Sequence, residues 1–166
     1  LTSLVGPLNV RTEYEYDALN RLAAVIENYT GGGVYSGLPD ENIKTSFQYD
    51  PEGNLTQISN LSSLISSRQY DELNRPIQAA NALGHSWSYD YDPAGNLTQI
   101  VNPKSQISNF QYNLINRLAS IDYPAPDTDV TFSYDKSGNR SQMSDGSGPT
   151  TYSYDNLNRL TNVTAN

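Results

Sequence analysis

His85 is the one histidine of the chain and the first residue to weigh as a catalyst or metal ligand. Either role needs partners, and no His, Cys or carboxylate cluster with ligand spacing stands near it in sequence, so it reads as a turn or rim residue. Asp90-Tyr91-Asp92-Pro93-Ala94-Gly95 sets carboxylates ahead of a glycine, as calcium loops do. It lacks the bidentate Glu and the regular ligand positions of such a loop, so the aspartates are expected to cap a turn. Trp87, Tyr89 and Tyr91 alternate, and a strand would stack their rings on one face as a platform for a sugar. Aromatics fill the same column elsewhere in the chain, so packing explains them more simply. Gly31, Gly32 and Gly33 precede no Lys-Ser/Thr pair, and no Ser/His/Asp arrangement is visible. The chain is therefore expected to be no enzyme, with no cofactor and no metal.

Six Asn-x-Ser/Thr sequons begin at Asn28, Asn54, Asn60, Asn96, Asn139 and Asn162. Three belong to a recurring phrase described below, which accounts for them without modification. Asn28 and Asn60 lie off that phrase and are the candidate glycosylation sites.

The elements that must position these residues come from repetition. A phrase anchored on Tyr16, Tyr49, Tyr70, Tyr91, Tyr112, Tyr134 and Tyr154 recurs at intervals of 33, 21, 21, 21, 22 and 20 residues. A fixed period of this size marks a repeat architecture, in which each unit is a supersecondary element stacked on its neighbours. Asp follows six of the anchors, and Asn113 replaces it once. Three residues further on stands Asn20, Gly53, Asn74, Gly95, Asn116, Gly138 or Asn158, the residue types that best tolerate positive φ. Together with Pro51 and Pro93 in the second turn position, this predicts a type I turn closed by a left-handed residue, the G1-bulge hairpin. On that basis Gly95→Asn should cost well under ~1 kcal/mol.

Before each turn the chain alternates with period two, as in Thr12, Tyr14, Tyr16 against Glu13, Glu15. That predicts strands with an aromatic face and a wet face. After each turn come apolar pairs spaced by three, such as Leu22/Val25, Leu55/Ile58, Leu97/Ile100, Leu118/Ile121 and Leu160/Val163. A flat strand cannot place both on one side, so a bulge is expected to re-aim one of them. Pro76 and Arg140 stand where Leu22 does, which predicts weaker packing in those two hairpins. The residue after the left-handed position alternates between Arg (Arg21, Arg75, Arg117, Arg159) and Asn (Asn54, Asn96, Asn139), so the larger unit spans about 42 residues. One account of the alternation is an Arg fork on the Asp of a neighbouring turn.

The fold class implied is all-β: tandem antiparallel β-hairpins, seven copies of about 21 residues, in a long curved or spiralling sheet. About fourteen strands at ~4.8 Å spacing would run roughly 65 Å, too short to surround a domain unaided. Residues 1–166 read as one array, with 29–42 an inserted Gly-rich loop and smaller excursions at 123–127 and 145–149. A net charge of −8 without a Lys/Arg cluster argues against nucleic acid as a partner. No stretch has the ~20 apolar residues of a membrane helix. Thirteen Tyr against three Phe makes the aromatic face amphipathic, and without Cys stability must come from stacking. There is no initiating Met, and no polar cap follows the last repeat, so the chain is expected to be a fragment or a subunit whose open end another copy covers.

Tyr14-Glu15-Tyr16-Asp17-Ala18-Leu19-Asn20-Arg21-Leu22 and Tyr89-Asp90-Tyr91-Asp92-Pro93-Ala94-Gly95-Asn96-Leu97-Thr98 resemble the Rhs/YD repeat. The resemblance covers residues 12–164. It implies hairpins wound into a spiralling sheet that can close as a hollow cocoon. Bacterial Rhs and WapA-like toxins and insecticidal toxin complexes use such a cocoon to enclose a toxin domain, and teneurins use a similar shell in adhesion. These 166 residues are few for the family, and no self-cleavage segment or toxin domain is recognisable within them.

The leading expectation is a non-enzymatic, extracellular or cell-surface structural segment of a shell or scaffold. Its partners would be neighbouring repeats, other copies of itself, or an enclosed passenger domain. The alternative is a self-assembling subunit of an extracellular filament, with glycans attached. A carbohydrate-binding surface built on Trp87 is the weaker third.

Overall fold

In a computed structural model the described residues, 2–5, 11–29, 42–60 and 63–165, carry fifteen β-strands and no helix. Of the inserted loop expected at 29–42, residues 30–41 lie outside the described residues. The strands are β1 Thr2–Val5, β2 Arg11–Tyr16, β3 Leu22–Glu27, β4 Ile43–Tyr49, β5 Leu55–Asn60, β6 Ser63–Tyr70, β7 Pro76–Asn81 and β8 Ser86–Tyr91. They continue with β9 Leu97–Val101, β10 Ile107–Tyr112, β11 Leu118–Asp122, β12 Val130–Tyr134, β13 Arg140–Asp145, β14 Gly148–Tyr154 and β15 Leu160–Ala165. The chain divides into two compact units, residues 1–86 and 87–166. Within each, sheet order is chain order and neighbours run antiparallel, as tandem hairpins require. The count exceeds the expected fourteen because β1, which bears no repeat phrase, pairs with β2 from Thr2↔Tyr14 to Val5↔Arg11.

All seven turn residues singled out by type adopt positive φ: 59° at Asn20, 96° at Gly53, 60° at Asn74, 90° at Gly95, 57° at Asn116, 90° at Gly138 and 58° at Asn158. The G1 geometry follows, with Asp17 N–H donating to Arg21 O and Asn20 N–H to Asp17 O, at 2.9 and 3.0 Å. Beyond each turn the ladder slips by one residue. Tyr16 faces Leu22 while Glu15 faces Ala24, and Tyr14 faces Val25. The same slip occurs at Tyr49, Tyr70, Tyr91, Tyr112, Tyr134 and Tyr154. This bulge returns the two apolar residues spaced by three to the tyrosine side.

Two further turns use the same chemistry without an anchoring tyrosine. Asn81 to His85 and Asn102 to Gln106 are closed by the same pair of backbone bonds, with Gly84 and Ser105 at φ of 76° and 60°. The expected excursion at 145–149 is instead a tight connection, since Asp145 pairs directly with Gly148. The loop at 123–127 is present, tied by Tyr123 N–H to Asp129 Oδ1 at 3.1 Å.

The core is thin. Among the described residues only Ala24 and Ile26 are buried hydrophobics, and no large side chain is fully enclosed. The sides of β2 and β3 depart from expectation. Glu13, assigned to the wet face, is buried at 6% exposure, opposite Ile26 and ion-paired with Arg11. Buried charge is tolerated where it is paired, and Arg11 supplies the partner.

Candidate functional site: the turn ladder

The repeated chemistry of the chain sits at the turns. Asp17 Oδ1 accepts the N–H groups of Leu19 and Arg21, each at 2.9 Å, and its Oδ2 accepts Arg21 Nε at 2.7 Å. Asp71 with Arg75 and Asp155 with Arg159 repeat the arrangement. In the other turn type the Asn amide replaces the guanidinium, as Asn54 Nδ2 donates to Asp50 Oδ2 at 2.9 Å, and likewise in Asn96/Asp92 and Asn139/Asp135. The Arg fork expected on a neighbouring Asp carboxylate therefore closes on the Asp of its own turn.

The alternation has its explanation in what reaches across. Arg21 Nη1 donates to the backbone carbonyl of Asp50 in the next turn at 3.1 Å, with the guanidinium 4.6 Å over the Tyr49 ring. Arg117 lies 5.5 Å over Tyr134 and occupies the space that a Cβ on Gly138 would need. An Arg turn is thus followed by a turn with no side chain at its left-handed position. The short Asn arm cannot reach so far, and instead donates to the left-handed Asn of the next turn. Asn54 to Asn74, Asn96 to Asn116 and Asn139 to Asn158 do so at 2.6, 3.1 and 2.9 Å. Neighbouring turns are keyed to each other in two alternating ways.

A second link runs from four of the anchor tyrosines to the previous hairpin. The hydroxyls of Tyr49, Tyr70, Tyr134 and Tyr154 donate to the carbonyls of Leu22, Leu55, Leu118 and Arg140, at 2.9, 3.0, 2.8 and 3.0 Å. These carbonyls open the strand at the bulge, which gives a reason for Tyr rather than Phe at the anchor. Arg140, in the place of an apolar residue, lies 5.0 Å over Phe132 and 5.9 Å over Tyr152, so ring stacking takes the part of aliphatic packing there.

All six turn aspartates are held below the ordinary carboxylate value. For Asp17 and Asp155 the backbone N–H of the turn's Arg acts most strongly, and for Asp71 the Arg75 side chain does. For Asp92 and Asp135 the leading cause is the Asn side chain. At Asp50 partial burial pushes upward most, but the bonds from Asn54 and the turn N–H groups outweigh it. A carboxylate depressed in the folded state adds stability above its unfolded pKa, near ~3.9, and loses it as pH falls through the folded value. The melting midpoint should therefore stay level down to about pH 5 and fall below about pH 4. Thermal melts between pH 7 and 2.5 measure this, and a midpoint that holds or rises in acid would contradict it.

The turn with Asn113 is the exception that shows what the carboxylate does. Its side chain accepts the N–H groups of Ile115 and Arg117 at 3.0 Å, yet Arg117 Nη1 is buried without a hydrogen-bond partner. Asn113→Asp should give the Arg117 guanidinium the own-turn carboxylate that Arg21 and Arg75 have, and so raise the melting midpoint by about 2 °C, measured beside the wild-type protein.

The remaining candidates are placed by the same turns. His85 is exposed, its N–H donating to Asn81 Oδ1 at 3.1 Å in the turn before β8. Asp92 caps its turn and Asp90 pairs in register with Gln99, so the calcium-like phrase is spent on the hairpin. No group of three or more His, Cys, Asp or Glu that could hold a metal occurs among the described residues. Trp87 and Tyr89 are half-buried on β8, Tyr89 opposite Ile100. The side chains of Asn54, Asn96 and Asn139 are engaged in turn bonds, and that of Asn162 bonds Thr164. Asn28 and Asn60 lie off the repeat turns, Asn28 at φ 51° accepting from Asn42 N–H and Asn60 paired with Ser63. An open cleft of about 580 Å³ borders the 123–127 loop, lined by residues that include Tyr123, Asp127 and Asp145.

A family model, teneurin YD-shell, matches residues 39–166. The chain belongs to that family. No curated protein matches this YD-shell chain. Its fold is also that of crystal structures of TcdB2-TccC3. One, with Cdc42, gives a TM-score of 0.68 at 14% identity over 97% of this chain. Another, titled TcdB2-TccC3-TEV, gives 0.70 at 18% identity over 96%. A third, of TcdB2-TccC3, gives 0.69 at 13% over 97%. The YD-shell chain spans only 9–10% of the length of each. It is a structural shell segment of the YD type.

Proposed function

We propose that this shell segment acts outside the cell as a non-enzymatic length of wall, one array of hairpins whose thin, half-covered face is completed by further wall or by an enclosed passenger. The observation that carries the reading is that the turn carboxylates, guanidiniums, amides and anchor hydroxyls are spent on joining hairpins. Residues that hold one another in this way make a surface, and among the described residues they are engaged with each other rather than set out as a nucleophile or acid–base pair. That no large side chain among the described residues is fully enclosed suits a wall one sheet thick better than a domain with its own interior.

A filament subunit is the competing reading, favoured by β15, which is exposed along its whole length and offers a strand edge. Electron micrographs and sedimentation of dilute protein separate the two. A monodisperse particle of one chain fits a wall segment, and filaments with a constant axial repeat overturn that reading.

A further inference from the structure

We propose that this length of wall parts at one place, between β11 and β12, with each hairpin on either side staying whole as the seam opens. The inference rests on the shell reading above and adds to it where such a wall gives way.

The grounds are the seams that join hairpin to hairpin within residues 87–166. β9 and β10 pair from Val101↔Ile107 to Gln99↔Asn109 across the tight turn at 102–106, and Asn96 keys to Asn116. β13 and β14 pair from Asp145↔Gly148 to Gln142↔Thr151, Asn139 keys to Asn158, and the Tyr154 hydroxyl bonds Arg140 O. Between β11 and β12 only Ser120↔Thr131 and Ile121↔Val130 are paired. The turn key is weaker there too. Arg21 Nη1 crosses its seam to Asp50 O at 3.1 Å, whereas Arg117, in a turn with Asn113 and no carboxylate, leaves Nη1 buried without a partner. Its guanidinium is 5.5 Å from the Tyr134 ring, against 4.6 Å for Arg21 on Tyr49. Side-chain hydrogen bonding at the seam comes down to Tyr134 on Leu118 O at 2.8 Å and Tyr123 N–H on Asp129 Oδ1 at 3.1 Å among the described residues. The connections differ as well. Residues 123–129 extend to roughly 23 Å, so β11 and β12 can separate without unzipping either hairpin. Only Gly146 and Ser147 lie between β13 and β14, and these strands cannot part without unwinding. The cleft of about 580 Å³ beside the 123–129 loop leaves room for the first movement. Few bonds, a poor key and slack in one place are what a local opening requires.

Native-state hydrogen exchange of the whole chain, read residue by residue by NMR, tests this. The backbone N–H groups that cross the seam, among Ser120, Ile121, Val130 and Thr131, should exchange about 10-fold or more faster than those crossing β13/β14, among Gln142, Met143, Thr150 and Thr151. Low urea should change the first rate little and the second more, because a local opening exposes less surface than unfolding does. Tyr134→Phe removes one bond across the seam and should speed exchange there about 3–10-fold while leaving β13/β14 as it was. Asn113→Asp, which gives Arg117 its own-turn carboxylate, should slow exchange at the seam about 3-fold or more. Equal protection at both seams, or a Tyr134→Phe effect spread evenly over both, would overturn the local opening and leave the shell reading standing. No protection at either seam would overturn the opening and the stacked-hairpin reading together.

Discussion

Gly138→Val should be the most damaging turn substitution, destabilising the chain by about 2–6 kcal/mol. Two effects add. A β-branched residue held at φ 90° costs about 1–3 kcal/mol in backbone strain. Its side chain also displaces the Arg117 guanidinium, a local overpacking of about 1–3 kcal/mol. Gly138→Asn removes most of the first effect and keeps the second, so it should still cost about 1–2 kcal/mol. Gly53→Asn should cost less, because Arg21 Nη1 would lie 3.8 Å from an added Cβ, in ordinary contact. Urea melts of the three variants decide this. Indifference to Asn at both positions would mean that φ alone selects glycine and that the guanidinium seat has no part.

Tyr49 carries the second large effect. Its ring lies under the Arg21 guanidinium, and its hydroxyl donates to Leu22 O. Tyr49→Phe removes one hydrogen bond and should cost about 1 kcal/mol. Tyr49→Ala also removes the packed ring and the cation–π contact. It should cost about 2–4 kcal/mol, toward the lower part of the aromatic-to-alanine range because the ring is only half-buried. Measured melts in which Phe and Ala are equally damaging would place the whole effect in the hydroxyl and contradict the packing account.

Much of this was legible in the sequence, for identifiable reasons. Positive φ restricts residue type so sharply that Asn20, Gly53 and their counterparts marked the turns unaided. The spacing of Leu22 and Val25 could be reconciled with a strand only by a bulge, and one is there in every hairpin of the repeat. What stayed hidden depends on neighbouring elements. The alternation of Arg and Asn could be seen but not explained, because its cause is the next turn: Arg21 on Asp50 O, Asn54 on Asn74. The tyrosine hydroxyls aim at a carbonyl freed by the preceding bulge, which composition does not reveal. Glu13 followed the alternation of a wet face yet is buried, since period two says which side a residue is on and not what covers it. The turns at 81–85 and 102–106 lacked the tyrosine that flagged the others, although Asn81-x-x-Gly84 spells the same turn.

The central claim is that this protein is a wall of keyed hairpins with no single indispensable site, and internal deletion tests it most directly. Removing residues 71–112 takes out one 42-residue pair and joins Tyr70 to Asn113, so an Arg turn still follows the Asn turn at Asn54. Removing residues 71–91 takes out one 21-residue repeat and puts the Asn turn at Asn96 directly after it. Circular dichroism and urea melts should show the shorter protein with the pair removed as a folded β-protein with a cooperative transition. The single-repeat deletion, with its keys mismatched, should be clearly less stable despite having lost fewer residues. Collapse of both proteins would contradict a repeat wall and favour one integral domain, and a single-repeat deletion as stable as the paired one would contradict the keying of the turns.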